Sequence, residues 1–309
     1  MWVFLRVETL LTRAIRTFQK LAFRIAVGNE NSNNHVTRRV ELSDSSNEVG
    51  FIITTFEKRF GLYALPLIAA IRRSVPNPIY LVVNANYDGP ASSQATRKLI
   101  QGLAEYENVF PIFFGEMQGC ASLWNTGLKH SKHDANFILN DDISIDEKTF
   151  AEEVELATSL LPSYSLITIN KAWSHFLISS KCISEFGDFD ERFLGFGQED
   201  GDYIRRVSQK TGVEPHSVFL PGFINLIDHS REESIVGSEG KYSLFNQCFL
   251  QLKYPNEKII DSFSPSLYEF ELPGNFDYVS IRNFREKFYP MLKSEDPQEI
   301  IAAIVNFYT

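Results

Sequence analysis

From Val49 onward the chain switches repeatedly between two hydrophobic periods, and this switching restricts the fold more than any other feature. Short apolar runs at Phe51–Phe56, Ile79–Val83, Val109–Phe114 and Asn136–Leu139 read as buried strands. Between them Leu62–Ser74, Ser92–Tyr106 and Cys120–His130 carry helical spacing, the first stopping before Pro76. Strands that are apolar throughout need cover on both faces, and the intervening helices return the chain to begin a parallel neighbour. The pattern predicts an α/β fold with a mixed, mostly parallel central sheet flanked by helices. Ligands of such sheets bind beyond the carboxyl ends of the strands. That rule selects Thr54–Glu57, Asn84–Tyr87, Gly115–Gly119 and Asn140–Asp142 as the binding edge. No GxGxxG follows the first strand and no Walker A sequence occurs, which speaks against dinucleotide and P-loop chemistry.

Composition narrows the class further. A chain of 309 residues, 44% apolar and with 26 phenylalanines, can fill a large core and is not a disordered protein. The net charge of −9 argues against a nucleic-acid partner, since phosphate backbones recruit basic faces. Cys120, Cys182 and Cys248 are far apart and odd in number, giving neither a disulfide framework nor a zinc spacing. They are expected in the core of a cytoplasmic protein.

The first segment differs in character. In residues 1–27 the basic Arg6, Arg13, Arg16, Lys20 and Arg24 face Glu8 alone, and apolar residues recur at helical spacing on the other side. It is too charged to span a bilayer and lacks the apolar core of a signal peptide. Two readings stay open: a peripheral membrane contact, or a helix packed on its own domain or on a second subunit of a homo-oligomer. Residues 28–48 read as a polar linker, 49–255 as the main domain, and 256–309 as a helical C-terminal extension ending in Pro297–Phe307.

Three places carry candidate chemistry. Asn140-Asp141-Asp142 ends an apolar strand, where carboxylates pack poorly but can hold a hard divalent cation; an Asx turn is the plainer reading. Phe193-Leu194-Gly195-Phe196-Gly197-Gln198 runs directly into Glu199, Asp200 and Asp202, which read as the first turn of a helix. Taken alone, such acids are good capping chemistry. His229, after an apolar segment, is a plausible metal ligand if it returns to an acidic site.

Read together, these residues resemble a GT-A-fold glycosyltransferase of the family 2 type, most closely the galactosyltransferase-like branch that includes the β-1,4-galactosyltransferases. The landmarks stand in the family's order. A strand enters Thr54-Thr55-Phe56, and Gly119-Cys120-Ala121 to Asn125-Thr126-Gly127 resembles the family's G-x-A-x-x-x-N-x-G helix start. Asn140-Asp141-Asp142 stands for the DxD motif, Gly195-Phe196-Gly197-Gln198-Glu199-Asp200 for GWGGED, and His229-Ser230-Arg231 for HSR. Phe186–Phe193 resembles the G-x-F-D-E-x-F loop of the acceptor side. The resemblance covers roughly Val49 to Pro255. It departs at Asn140, at Phe196 in place of tryptophan, at Asn84 in place of aspartate, and at Trp124 where an arginine often lies near the diphosphate.

The resemblance implies transfer of a sugar from a nucleotide-diphosphate donor such as a UDP-sugar to a glycan or other hydroxyl acceptor, with inversion. It implies Asp200 as the base and Glu199 as an orienting carboxylate. Thr54, Thr55, Glu57, Asn84, Asn125, Asn140 and Asp141 are expected on the donor side, and Phe196, Gly197, Asp202 and Trp173 on the acceptor side. Trp173 and His175 read more simply as core, and Asp202 also reads as a cap paired with Arg205 or Arg206. Mn²⁺ or Mg²⁺ is expected on Asp142 and His229, because a diphosphate entering an acidic cleft needs a compensating cation. A noncatalytic nucleotide- or glycan-binding scaffold is the alternative. A nucleotidyltransferase ranks last, since Thr54–Gly61 holds a single glycine.

Overall fold

The computed structural model describes residues 49–85, 100, 103, 108–226, 243–260, 271–274 and 277–309. The segments 1–27 and 28–48 and His229 lie outside the described residues, and of Ser92–Tyr106 only Ile100 and Leu103 are described, both buried.

The strands are β1 (Val49–Phe56), β2 (Ile79–Asn84), β3 (Val109–Phe113), β4 (Ala135–Asn140), β5 (Ile143–Ile145), β6 (Leu166–Ile169), β7 (Ala172–Ser179), β8 (His216–Val218) and β9 (Phe223–Asn225). The α-helices are α1 (Leu65–Ser74), α2 (Cys120–His130), α3 (Phe150–Ser159), α4 (Ser180–Phe186), α5 (Glu199–Thr211), α6 (Leu244–Lys253), α7 (Tyr278–Phe288) and α8 (Pro297–Tyr308). A π-helical turn, Phe60–Ala64, leads into α1, so the helix expected from Leu62 begins in a wider turn. One sheet has the order β3-β2-β1-β4-β7-β6-β8, and β5 pairs with β9 in a second. The pairs β1–β2, β1–β4, β2–β3 and β6–β8 are parallel, while β7 is antiparallel to both β4 and β6. The mixed, mostly parallel sheet flanked by helices is therefore the observed architecture.

Alternation along each strand builds a core on each face. Phe51, Ile53, Leu81, Val83, Phe137 and Leu139 point to one side, against α1 and α3. Ile52, Tyr80, Val82 and Ile138 point to the other, against α2, α4 and α5. Gly127 makes the second contact possible, because a Cβ there would lie 2.3 Å from Ile52 Cγ2. The β6–β7 connection is the two-residue pair Asn170-Lys171, with φ of +54° and +58°, the left-handed pair that a tight hairpin requires.

A third core gathers the helices after residue 243 onto Phe193 and Leu194. Phe193 and Leu194 are buried with Phe245, Phe249, Phe284, Phe288, Ile300 and Ile304 of α6, α7 and α8. From α7, Arg285 Nη2 reaches Glu191 at 2.7 Å. Among the described residues no helix is long and apolar enough to cross a membrane.

Candidate active site

Strands β1 to β4 run parallel, so their carboxyl ends open on one edge of the sheet. β7 runs the other way, with His175 opposite Leu139, so its start at Ala172–Ser174 reaches the same edge. The register sets Thr54 beside Asn140, and Thr54 Oγ1 donates to Asn140 Oδ1 at 3.3 Å. Thr55 Oγ1 donates to Asp141 Oδ2 at 2.6 Å. Glu57 is buried next to the end of β2, its N–H donating to Asn84 O at 3.3 Å.

Arg59, which the sequence reading did not single out, lies at the centre of this edge. Its Nη2 is 2.6 Å from Asp141 Oδ1 and 3.0 Å from Asp142 Oδ2, and its Nε donates to Asp141 Oδ2 at 3.1 Å. The guanidinium also stacks over Tyr63 at 4.7 Å. Burial opposes its charge, but the two carboxylates outweigh that and hold its pKa above the usual value. Burial pushes Asp141 up to about 7 against the pull of Arg59 and Thr55. Two adjacent acids at a buried strand end would repel strongly; the shared guanidinium removes most of that cost.

Two of the residues expected on the donor side are occupied by loops. Asn84 Nδ2 donates to Gln118 O and Asn84 Oδ1 accepts from Gln118 N, each at 2.9 Å, which fixes the entry to α2. Asn125 is buried and spans to the 189–191 segment, donating to Phe189 O at 2.8 Å and Glu191 Oε1 at 3.0 Å and accepting from Phe189 N. Trp124, in the family's arginine position, is core, packed edge-on to Phe176 and Phe189.

The Phe193–Asp202 stretch forms a tight loop that delivers α5 beginning at Glu199. Gly195, Gly197 and Gln198 have φ of +64°, +107° and +73°, backbone that only glycine adopts freely. The loop presses on the start of α2: Cys120 N donates to Gly195 O at 2.8 Å, and a Cβ on Gly119 would meet Phe193 O at 2.9 Å. Phe196 is half-buried with its ring 5.6 Å from that of Phe56. Glu199 is buried, and desolvation, reinforced by the charge of Asp200, pushes it up to about 8. Asp200 is partly exposed and accepts from Gly201 N at 2.8 Å. Asp202 points inward instead. It is fully buried and held by Lys253 at 2.6 Å, Arg206 at 2.9 Å and Tyr254 Oη at 2.9 Å, which matches pairing within the fold rather than contact with an acceptor.

The two acidic motifs are tied together through the end of β1: Thr54 and Thr55 hold Asn140 and Asp141, and the next residue, Phe56, packs its ring 5.6 Å from that of Phe196 in the loop before Glu199. On the opposite side His175 is buried, stacked 5.8 Å from Phe223, and lowered to about 4 by burial while the Asp142 charge opposes the shift. Trp173 is half-buried against Phe176 at 5.0 Å.

For a hard divalent cation the oxygen donors are of the right kind, but Asp142 Oδ2 is already paired with Arg59 Nη2 at 3.0 Å. Asp141 has both oxygens engaged by Arg59 and Thr55, and no group of three His, Cys, Asp or Glu able to hold a metal occurs among the described residues. The described residues do not by themselves complete a metal site.

No protein-family model matches the chain. No curated protein matches it in sequence either. Solved structures do. GalNAc-T7 with UDP, GalNAc and Mn²⁺ superposes with a TM-score of 0.55 at 10% identity, over 86% of this chain and 58% of that one. TarS of S. aureus in complex with UDP gives 0.47 at 9% identity, over 71% of this chain and 68% of that one. The mannosyltransferase PcManGT from Pyrobaculum calidifontis in complex with GDP-Man and Mn²⁺ gives 0.45 at 12% identity, over 97% and 84%. At these identities the likeness is one of fold, and the chain has the GT-A fold of the glycosyltransferases.

Proposed function

We propose that the chain is a glycosyltransferase that moves a sugar from a nucleotide-diphosphate donor, a UDP-sugar by the motif resemblance, to a hydroxyl of a glycan or similar acceptor, with inversion. The observation that carries this reading is that the diacid turn and the loop leading to Glu199-Asp200 both pack on the end of β1, through Thr55 to Asp141 and Phe56 to Phe196, at the sheet edge where this architecture binds ligands. The likeness to GalNAc-T7, a protein solved with UDP, GalNAc and Mn²⁺, supports the nucleotide-sugar part.

In this reading Thr54, Thr55, Glu57, Asn140 and Asp141 form the donor side, with Arg59 holding Asp141 in place. Asn84 and Asn125 act one step back, by fixing the loops at 118 and 189–191. The acceptor hydroxyl gives its proton to Asp200 as its oxygen bonds to the anomeric carbon, and the bond from that carbon to the diphosphate oxygen breaks on the far face. Glu199, buried and carrying its proton at neutral pH, donates a hydrogen bond and adds no second charge beside Asp200. Phe196, Gly197 and Trp173 form the acceptor rim. Asp142 with His229 would hold Mn²⁺ or Mg²⁺, and such an ion would supply Lewis-acid stabilisation to a departing diphosphate.

The test is a screen of nucleotide sugars for Mn²⁺-dependent hydrolysis and transfer with wild type and Asp200→Asn. Turnover by wild type, reduced about 10²–10⁴-fold in the variant with nucleotide binding retained, is the expected result. Nucleotide or glycan binding with no turnover of any donor, unchanged by Asp200→Asn, would instead establish the noncatalytic scaffold.

A further inference from the structure

We infer that Asn246, 49 residues beyond Gly197 in sequence, is the positioning residue that sets the acid-bearing loop, and that α6 is thereby a working part of the active site. The inference concerns loop geometry, and its catalytic consequence rests on the transfer reading above. Asn246 sits in the first turn of α6, which Ser243 caps, and is fully buried. Its amide is used completely on the loop: Oδ1 accepts from Leu194 N at 2.9 Å, and Nδ2 donates to Leu194 O at 2.8 Å and to Gly197 O at 2.7 Å. These bonds grip both ends of Gly195-Phe196, while Cys120 N holds Gly195 O from the opposite side.

The loop needs such a grip for two reasons. Its buried peptide groups have no ladder or helix to satisfy them, and each one left bare carries a desolvation penalty. Its left-handed backbone at Gly195, Gly197 and Gln198 persists only where the surroundings over-determine it. Gly197 is followed at once by Gln198 and then by Glu199 and Asp200, so the direction of the Gly197 carbonyl sets where α5 starts and where its carboxylates point. A displacement of about 1 Å at a reacting group is enough to cost roughly 10²-fold in rate. Asparagine suits the place because one planar amide offers an acceptor and two donors.

The experiment is amide hydrogen exchange together with steady-state kinetics on the full chain, wild type and Asn246→Ala. In wild type the Leu194 amide is expected to be protected as well as amides of β1; exchange at the rate of an open amide would overturn the proposal without any variant. In Asn246→Ala exchange over residues 193–202 should rise about tenfold while β1 and β4 stay unchanged. Transfer kcat should fall about tenfold or more with the donor KM preserved, the split expected when positioning rather than binding is lost. A uniform rise in exchange across the sheet, or a loosened loop with unchanged kcat, overturns the inference. If wild type turns over no donor, the transfer reading fails, and the exchange data still decide whether the clamp exists.

Discussion

Glu199→Gln offers the sharpest test of how this site manages charge. Glu199 is buried, and its pKa rises from the ordinary 4.5 to about 8, first through desolvation and then through Asp200. Between those two pH values the folded chain keeps a proton that the unfolded chain has given up. The sign follows: the contribution to stability is fully present below 4.5 and is lost as pH rises through about 8. At about 1.4 kcal/mol for each pH unit, that interval is worth at most about 4–5 kcal/mol. Glutamine has nearly the same shape and stays neutral, so the variant should lack this slope. Asp141, also raised by burial, adds a slope of the same sign but is present in both proteins, so the difference between them isolates Glu199. Urea unfolding followed by fluorescence, at points from about pH 5 to about pH 9, gives the two curves. The expected result is that Glu199→Gln gains several kcal/mol relative to wild type across that range, with near-parity at the acid end. A constant offset at every pH would refute the claim that Glu199 is protonated in the folded chain at neutral pH.

Two further outcomes follow from the same geometry. Gly127→Ala places a Cβ 2.3 Å from Ile52 Cγ2 and must push α2 off β1, so stability should fall by about 1–3 kcal/mol in thermal unfolding; an unchanged Tm would mean that α2 does not pack as described. Arg59→Met takes the shared cation from Asp141 and Asp142 and should cost about 3–5 kcal/mol. Added Mn²⁺ should restore more Tm to this variant than it adds to wild type, and equal shifts in both would count against Arg59 as the neutralising group.

The sheet was legible because β1 and β2 are buried end to end and β4 up to its last residue, Asn140, which calls for long apolar runs. β5, β8 and β9 are three residues each and leave no period to read. The turn between β6 and β7 leaves no local mark, since its left-handed pair Asn170-Lys171 lacks the glycine that usually signals one. The acid motifs were legible because carboxylates beside apolar strands or glycines are conspicuous in one dimension. Their partners were not. Arg59 lies 82 residues from Asp141, and Asn246 lies 52 from Leu194; neither spacing leaves a local pattern. The one available clue to Arg59 was a basic residue just past the end of β1, on an edge already predicted to be acidic. Asp202 misleads in the opposite sense: it belongs to the motif by sequence but faces Lys253, Arg206 and Tyr254 inside the fold.

The charges can be followed one carboxylate at a time, and the outcome favours Asp200 on grounds independent of motif resemblance. Crowded acids near a buried strand end must each be paired or protonated, or the fold pays for their repulsion. Asp141 and Asp142 share Arg59. Glu199 is neutralised by retaining its proton. Asp202 is surrounded by Lys253 and Arg206. Asp200 differs from all four: it is partly exposed, and the contact holding it is the N–H of the next residue, Gly201, at the start of α5. A helix N-terminus steadies a carboxylate without consuming its second oxygen. Among the described carboxylates of the two motifs, Asp200 alone is neither buried nor paired with a cation, and that is the state a carboxylate base requires.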